Sequence, residues 1–276
     1  LEMRHTRKGI GGGGGINILA KIHGNSTSED EDVQGLAADN LITISAYAFT
    51  EPQAVTVLNY LNDTLHHSNT SVTFTNWRVR QCLLEFIQVF GFREQFYLGN
   101  EQDKLIELIL SLLKDPQLEV RECACTTLAG FIKISEMKYI ELLTARFRKW
   151  VTGDSVLPGK KQSRQKRKRS SISSLQSSRA TPVNESDALL KHSGVLGLSA
   201  IVKAFPYTLP DYLPPVLVQL AQFSNDHSQP IRDSTRKTFA EFWKQHGDLW
   251  HIQKKKLTEN QLQILNSLLI SPSYYA

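Results

Sequence analysis

The sequence predicts an all-α protein built as a HEAT/ARM-like α-solenoid of stacked helix pairs. Three observations predict it: apolar residues recur at helical spacing along the chain, strand-like alternation with hairpin turns is nearly absent, and an internal repeat of about forty residues is present. The elements follow in order. Thr50, Glu51 and Pro52 form a helix start, since proline is tolerated in a first turn, and Val55, Leu58, Leu61 and Leu65 follow on one face. The same spacing predicts helices over 77–90, 103–113, 116–132, 140–150, 186–205, 212–223, 231–244 and 259–270.

The repeat emerges when helices are aligned on their arginines. "VRQCLLEFI", "VRECACTTL" and "IRDSTRKTF" each begin with a β-branched residue and an arginine and end on an apolar residue, and Val79 and Val120 stand 41 residues apart. That interval falls in the ~40–47 range of HEAT and armadillo units, whose neighbours bury each other's apolar stripe. The clearest unit is "DKLIELILSLLKDPQLEVRECACTTLAGFI", where an Asp115-Pro116 turn joins two amphipathic helices. Asp115 and Arg121 are expected to bond within and between repeats rather than to do chemistry.

Two stretches lack core-forming composition. Residues 1–45 hold five consecutive glycines and the acidic cluster "SEDEDV", and read as a flexible segment; residues 156–186 are rich in Ser, Lys and Arg. They divide the chain into HEAT-like repeats at 46–155, further helices at 187–270, and a short tail at 271–276. The chain starts at Leu1 rather than Met and reads as a fragment without a secretory leader. No run approaches the roughly 18–20 apolar residues that span a bilayer, so no membrane partner is expected.

Charge is concentrated. Lys160, Lys161, Arg164, Lys166, Arg167, Lys168 and Arg169 place seven cations within ten residues, and without them 25 basic residues face 27 acidic ones. A surface gripping nucleic acid would spread Lys and Arg over folded elements, so direct nucleic-acid contact is not expected. A dense run in a loop instead suits an importin groove, which predicts nuclear as well as cytoplasmic localisation. Ser170, Ser171, Ser173 and Ser174 adjoin the run, where phosphorylation would reduce its charge.

No catalytic or metal constellation stands out. The glycine run lacks the Lys-Ser/Thr ending of a phosphate loop. Cys123 and Cys125 diverge on a helix, and neither a further pair nor a nearby histidine completes a tetrahedral set. With Cys82 the cysteines number three, which suits reduced, buried thiols in an intracellular compartment. No cofactor and no enzymatic role are expected.

The C-terminus differs from an ordinary frayed end. Thr258 with Gln261 forms a capping-box pattern for a last helix carrying Leu262, Leu265, Leu268 and Leu269, and Ser271-Pro272 stops it. Two tyrosines and an alanine then follow.

"SPSYYA", "LLKDPQLEVRECACTTLAGF", "HSGVLGLSAIV", "FSNDHSQPI", "TRKTFAEFWKQH" and "LTENQLQILNSLL" together resemble the C-terminal part of the large single-chain proteasome activators, over residues 75 to 276. The resemblance implies an ATP-independent cap on the core proteasome. Tyr274, Tyr275 and the carboxylate of Ala276 would enter a pocket of its α-ring and promote gate opening. It also implies an acetyl-lysine reader for acetylated histones near residues 75 to 155. Phe96 and Tyr97 are its candidate lining residues, and Ser135 stands where an asparagine is expected. Inositol phosphates belong to the family but are assigned to no residue. A HEAT adaptor for nuclear transport or chromatin is the alternative expectation.

Overall fold

The computed structural model describes residues 31–47, 49–66, 77–153 and 185–269. Among them the helices are α1 (Glu31–Ser45), α2 (Glu51–His66), α3 (Trp77–Arg93), α4 (Gln95–Leu98), α5 (Gln102–Leu112), α6 (Leu118–Ile134), α7 (Met137–Thr152), α8 (Glu185–Lys203), α9 (Leu213–Ala221), α10 (Gln229–His246), α11 (Trp250–Gln253) and α12 (Glu259–Leu269). Short 3₁₀ turns occupy Gly99–Glu101 and Lys254–Lys256, and no strand occurs among the described residues. All eight helices expected downstream of residue 76 are present within a few residues of their predicted ends.

One helix appears where the sequence reads as flexible. The stretch 31–45 carries Gly35 and the β-branched run Ile42-Thr43-Ile44, both poor for an isolated helix. It is helical because Leu41 is buried and Ile44 half-buried in the core, with α1 packed on α3. Tertiary packing supplies what local propensity lacks.

The helices form two rows. α1, α3, α6, α8 and α10 pack side by side in one, and the other follows them with α2, α5, α7, α9 and α12. In the first row Gly91 of α3 lies against Phe131 of α6, Cys125 of α6 donates to the Leu196 carbonyl of α8 at 3.2 Å, and His192 of α8 meets Ser234 of α10 at 3.0 Å. Each pair sits at comparable depth, so these helices run parallel, as helices spaced by a full repeat must. The second row is tied by the Arg146–Glu107 ion pair between α7 and α5, and by Arg148 donating to Gln219 of α9 at 2.8 Å.

Between the rows lies one continuous apolar layer. Phe86, Phe90, Phe147 and Phe242 are its largest fully buried side chains, each worth about 1.5–3 kcal/mol of transfer free energy. Close approach is enforced by a missing side chain at α8. A Cβ on Gly197 would stand 2.3 Å from Phe147 Cδ1, so only glycine lets α8 seat on the Phe147 ring of α7.

A polar ladder runs along the turns that join first to second helices. Asp115 receives Arg80 Nε at 2.6 Å and an Arg80 Nη2 bond at 2.9 Å, and it also accepts from the Gln117 amide in the turn that leads into the next helix, at 2.8 Å. Arg121 then donates to the Asp115 and Pro116 carbonyls at 2.7 and 2.8 Å. The arrangement recurs at Asp226. Lys191 pairs with its carboxylate, the Ser228 amide donates to it at 3.0 Å, and Arg232 reaches the Asp226 and His227 carbonyls at 2.6 and 2.8 Å. In both cases the cation comes from the preceding second helix, 35 residues earlier. The expected structural role of Asp115 and Arg121 is thus realised, with Arg80 supplying the bond between repeats.

Asp115 and Arg80 are nearly buried, with side chains 5% and 14% exposed. Asp115→Ala removes the carboxylate that receives two bonds from the Arg80 guanidinium and is expected to lower unfolding free energy by about 3–5 kcal/mol in urea titrations. Asp226→Ala is expected to cost less, since its Lys191 partner is 36% exposed and stays hydrated. A second prediction concerns pH. Burial, aided by the positive charge of Arg121, pushes His192 down to about 4. The unfolded chain, with an ordinary histidine near 6.5, then binds more protons than the folded one. Stability from this group is complete above the unfolded value and declines as pH falls toward 4, by roughly 3 kcal/mol in all. His192→Gln should flatten that part of the pH–stability curve.

Candidate functional site

Helix α12 is the element that leads to the C-terminal tail, and its position is fixed by a cap at its start and by packing along its length. At its start the predicted capping box forms: the Thr258 amide donates to Gln261 Oε1 at 2.9 Å, and the Gln261 amide to Thr258 Oγ1 at 3.4 Å. Leu265 is buried and Leu262 and Leu268 are half-buried against the core, with α12 packed on α9 and α10. The segment before it is pinned to the α8–α9 connection. Gln253 donates to the Tyr207 carbonyl at 3.1 Å, and Lys256 donates to the Leu209 carbonyl at 3.0 Å while facing Asp211 at 3.6 Å.

His246 closes this junction. Its ring is fully buried, with Nδ1 2.8 Å from Gln253 Oε1 and Nε2 3.0 Å from the Phe205 carbonyl. Burial holds its pKa below the ordinary value, opposed by those two hydrogen bonds. Its ring stacks on Phe242 at a centroid distance of 4.1 Å. Helix α12 and the segment before it are therefore packed into the end of the solenoid. Tyr274, Tyr275 and Ala276 themselves lie outside the described residues, as do Lys160, Lys161, Arg164, Lys166, Arg167, Lys168 and Arg169.

The remaining expected site residues lie within the described part of the chain. Phe96 and Tyr97 sit on the short α4 and are 86% and 52% exposed. Ser135 ends α6, and its hydroxyl donates to the Phe131 carbonyl of its own helix at 2.7 Å. None of the three lines the concave cavity of the second-helix row.

That cavity is a groove of about 470 Å³ across α3, α6, α8 and α10. Lys237 of α10 reaches over α8 to Glu122 of α6 at 3.2 Å, which marks the face as concave. Burial pushes the Cys125 thiol on its floor up to about 11, and burial together with Glu85 pushes Cys123 up to about 11. Both remain protonated thiols at neutral pH, unsuited to attack or metal binding. Among the described residues no cluster of His, Cys, Asp or Glu has the makings of a metal site. The sequence reading passed over this groove, although its signal was present: Gln81, Glu85 and Gln88 recur at i, i+4 and i+7 on a helix otherwise read for its apolar face.

Comparison with known proteins bears on both halves of the chain. The family described as "Proteasome activator complex subunit 4-like, C-terminal" matches residues 188–276, and the HEAT repeat family matches residues 105–135. Proteasome activator complex subunit 4A of Danio rerio is 35% identical over 205 residues, covering 73% of this chain and 10% of that protein. Proteasome activator complex subunit 4 of Homo sapiens is 33% identical over 205 residues with the same coverage, and proteasome activator BLM10 of Saccharomyces cerevisiae is 28% identical over 197 residues, covering 70% and 8%. Among solved structures, one of a crescerin TOG domain array covers 91% of this chain and 88% of its own at 12% identity, with a TM-score of 0.43. The chain spans about a tenth of the length of the curated relatives it matches. With the family's C-terminal region on α8 to the last residue and relatives matched over most of its length, the chain belongs to the proteasome activator subunit 4 family.

Proposed function

We infer that the chain is the docking end of an ATP-independent activator of the core proteasome. The observation that carries this reading is the match of the family's C-terminal region to residues 188–276, a span that includes the terminal Tyr-Tyr-Ala. In it, Tyr274 and Tyr275 enter a pocket of the α-ring and the Ala276 carboxylate pairs there with a cation.

The chemistry suits such a plug. Tyrosine supplies large buried area with few rotamers to freeze and a polar tip for the pocket mouth. A carboxylate in a partly dry pocket makes a charge-assisted bond worth about 1.5–3 kcal/mol. Occupancy favours the open gate by the tail's differential affinity for the open ring. The role is regulatory, and the chain itself breaks no bond. The pinned α12 contributes by presenting the tail from a fixed base, which lowers the entropy lost on docking.

A peptide ending in "SPSYYA" is expected to stimulate cleavage of fluorogenic peptides by latent core proteasome, and the whole chain to do so more strongly. Amidating the terminal carboxylate, or Tyr275→Ala, should weaken stimulation by about tenfold or more. Stimulation indifferent to both changes would remove the mechanism. The basic run extends the reading to the cell: as an importin ligand it should carry the chain into the nucleus, and alanines at Lys166 to Arg169 should leave a fluorescent fusion in the cytoplasm.

A further inference from the structure

The concave groove holds two polar stripes that are only partly engaged by the fold: Glu122 meets Lys237 and Glu119 accepts from Gln117 Nε2 at 2.6 Å. Gln81, Glu85 and Gln88 stand along α3, and Glu119, Glu122 and Thr126 along α6, each set at the spacing that puts side chains on one helix face. The opposite wall carries Lys203 and Lys237, but both are neutralised, by Glu241 at 2.9 Å and Glu122 at 3.2 Å. Glu85 and Glu119 have no ion pair among the described residues. The groove is therefore negative on balance at its α3–α6 side.

A second observation is independent of charge. Ser199 of α8 lines the groove and is fully buried, and its hydroxyl has no hydrogen-bond partner. An orphaned buried hydroxyl costs about 1–3 kcal/mol, a cost that a ligand carbonyl accepting its proton would offset. Helices of the row pack roughly 8–10 Å apart, so a site crossing four of them is about 25–30 Å long. An extended peptide of about eight residues has that length. Phosphate-bearing ligands are repelled by the excess of carboxylates on the α3–α6 side.

We propose that this groove binds an extended, cationic segment of a polypeptide, a Lys or Arg of which pairs with Glu85 and Glu119 while one of its backbone carbonyls accepts the Ser199 hydroxyl. Gln81 and Gln88 supply amides for the neighbouring peptide groups. The site lies on the second-helix row and does not depend on the C-terminal tail.

Fluorescence anisotropy of the whole chain with a labelled peptide of about eight residues, alternating Lys with Gly and Ser, tests it. Control peptides carry acetyl-lysine or Glu at the same positions. The Lys peptide should bind saturably and bind less as salt rises, and the Glu peptide should not bind. Glu85→Gln with Glu119→Gln should weaken binding by about tenfold or more, and Ser199→Ala by about three- to tenfold. The two carboxylates are on the surface, so their variants report on binding even if the buried Ser199→Ala disturbs the fold. Tyr275→Ala should leave peptide affinity unchanged, which separates this site from the tail. Equal affinity for the acetylated peptide, binding unaltered by the Glu85 and Glu119 changes, or no saturable binding would each overturn the proposal.

Discussion

The structure depends on one repeated electrostatic contact: an aspartate in the turn of one repeat held by a cation from the second helix of the preceding one. Apolar layers are non-directional and tolerate sliding along a row of parallel helices. A carboxylate that must meet a cation on one side and a turn amide at the start of its own helix on the other does not. Asp115 makes both kinds of bond at once, and Asp226 repeats them with Lys191 in place of Arg80. Register between neighbouring repeats is thereby fixed at two places along the chain. The arginines that follow donate to turn carbonyls: Arg121 satisfies one that is buried, at Asp115, and Arg232 reaches the part-buried one at Asp226.

Much of this was legible in the sequence because it is local. The Asp115-Pro116 turn, the arginine alignment and the amphipathic stripes all declare themselves within one repeat, and the Thr258–Gln261 capping box within four residues. What escaped is non-local. The helix at Glu31–Ser45 exists by virtue of packing on α3, and nothing in its propensity announces that. The lysine of the second ladder rung was invisible because "LLKHSG" lacks the arginine that marks the other repeats.

The candidate sites divide along the same line. The tail is a linear feature, and its chemistry is readable from three residues and a terminus. Phe96, Tyr97 and Ser135 rest on the family resemblance; the two aromatic side chains are exposed and Ser135 bonds its own helix. The groove is the reverse case: four helices contribute to it, and Ser199 acquires meaning only once α3 and α6 are seen across from it. Helix periodicity could have flagged the polar stripe on α3, but it could not have named the helix opposite.

The seating of α8 on α7 has a last consequence. These two helices are joined by the longest connection between described helices, from Thr152 to Glu185, yet α8 seats closely on α7: a Cβ on Gly197 would stand 2.3 Å from the Phe147 ring and one on Gly194 2.9 Å from the Phe147 carbonyl oxygen. Closing a loop costs only about 0.6 kcal/mol more for each doubling of its length. The interface, not the covalent link, holds the halves together. A cut or an insertion in that connection would leave the solenoid standing, and so its composition, basic run included, is free to answer to whatever reads it.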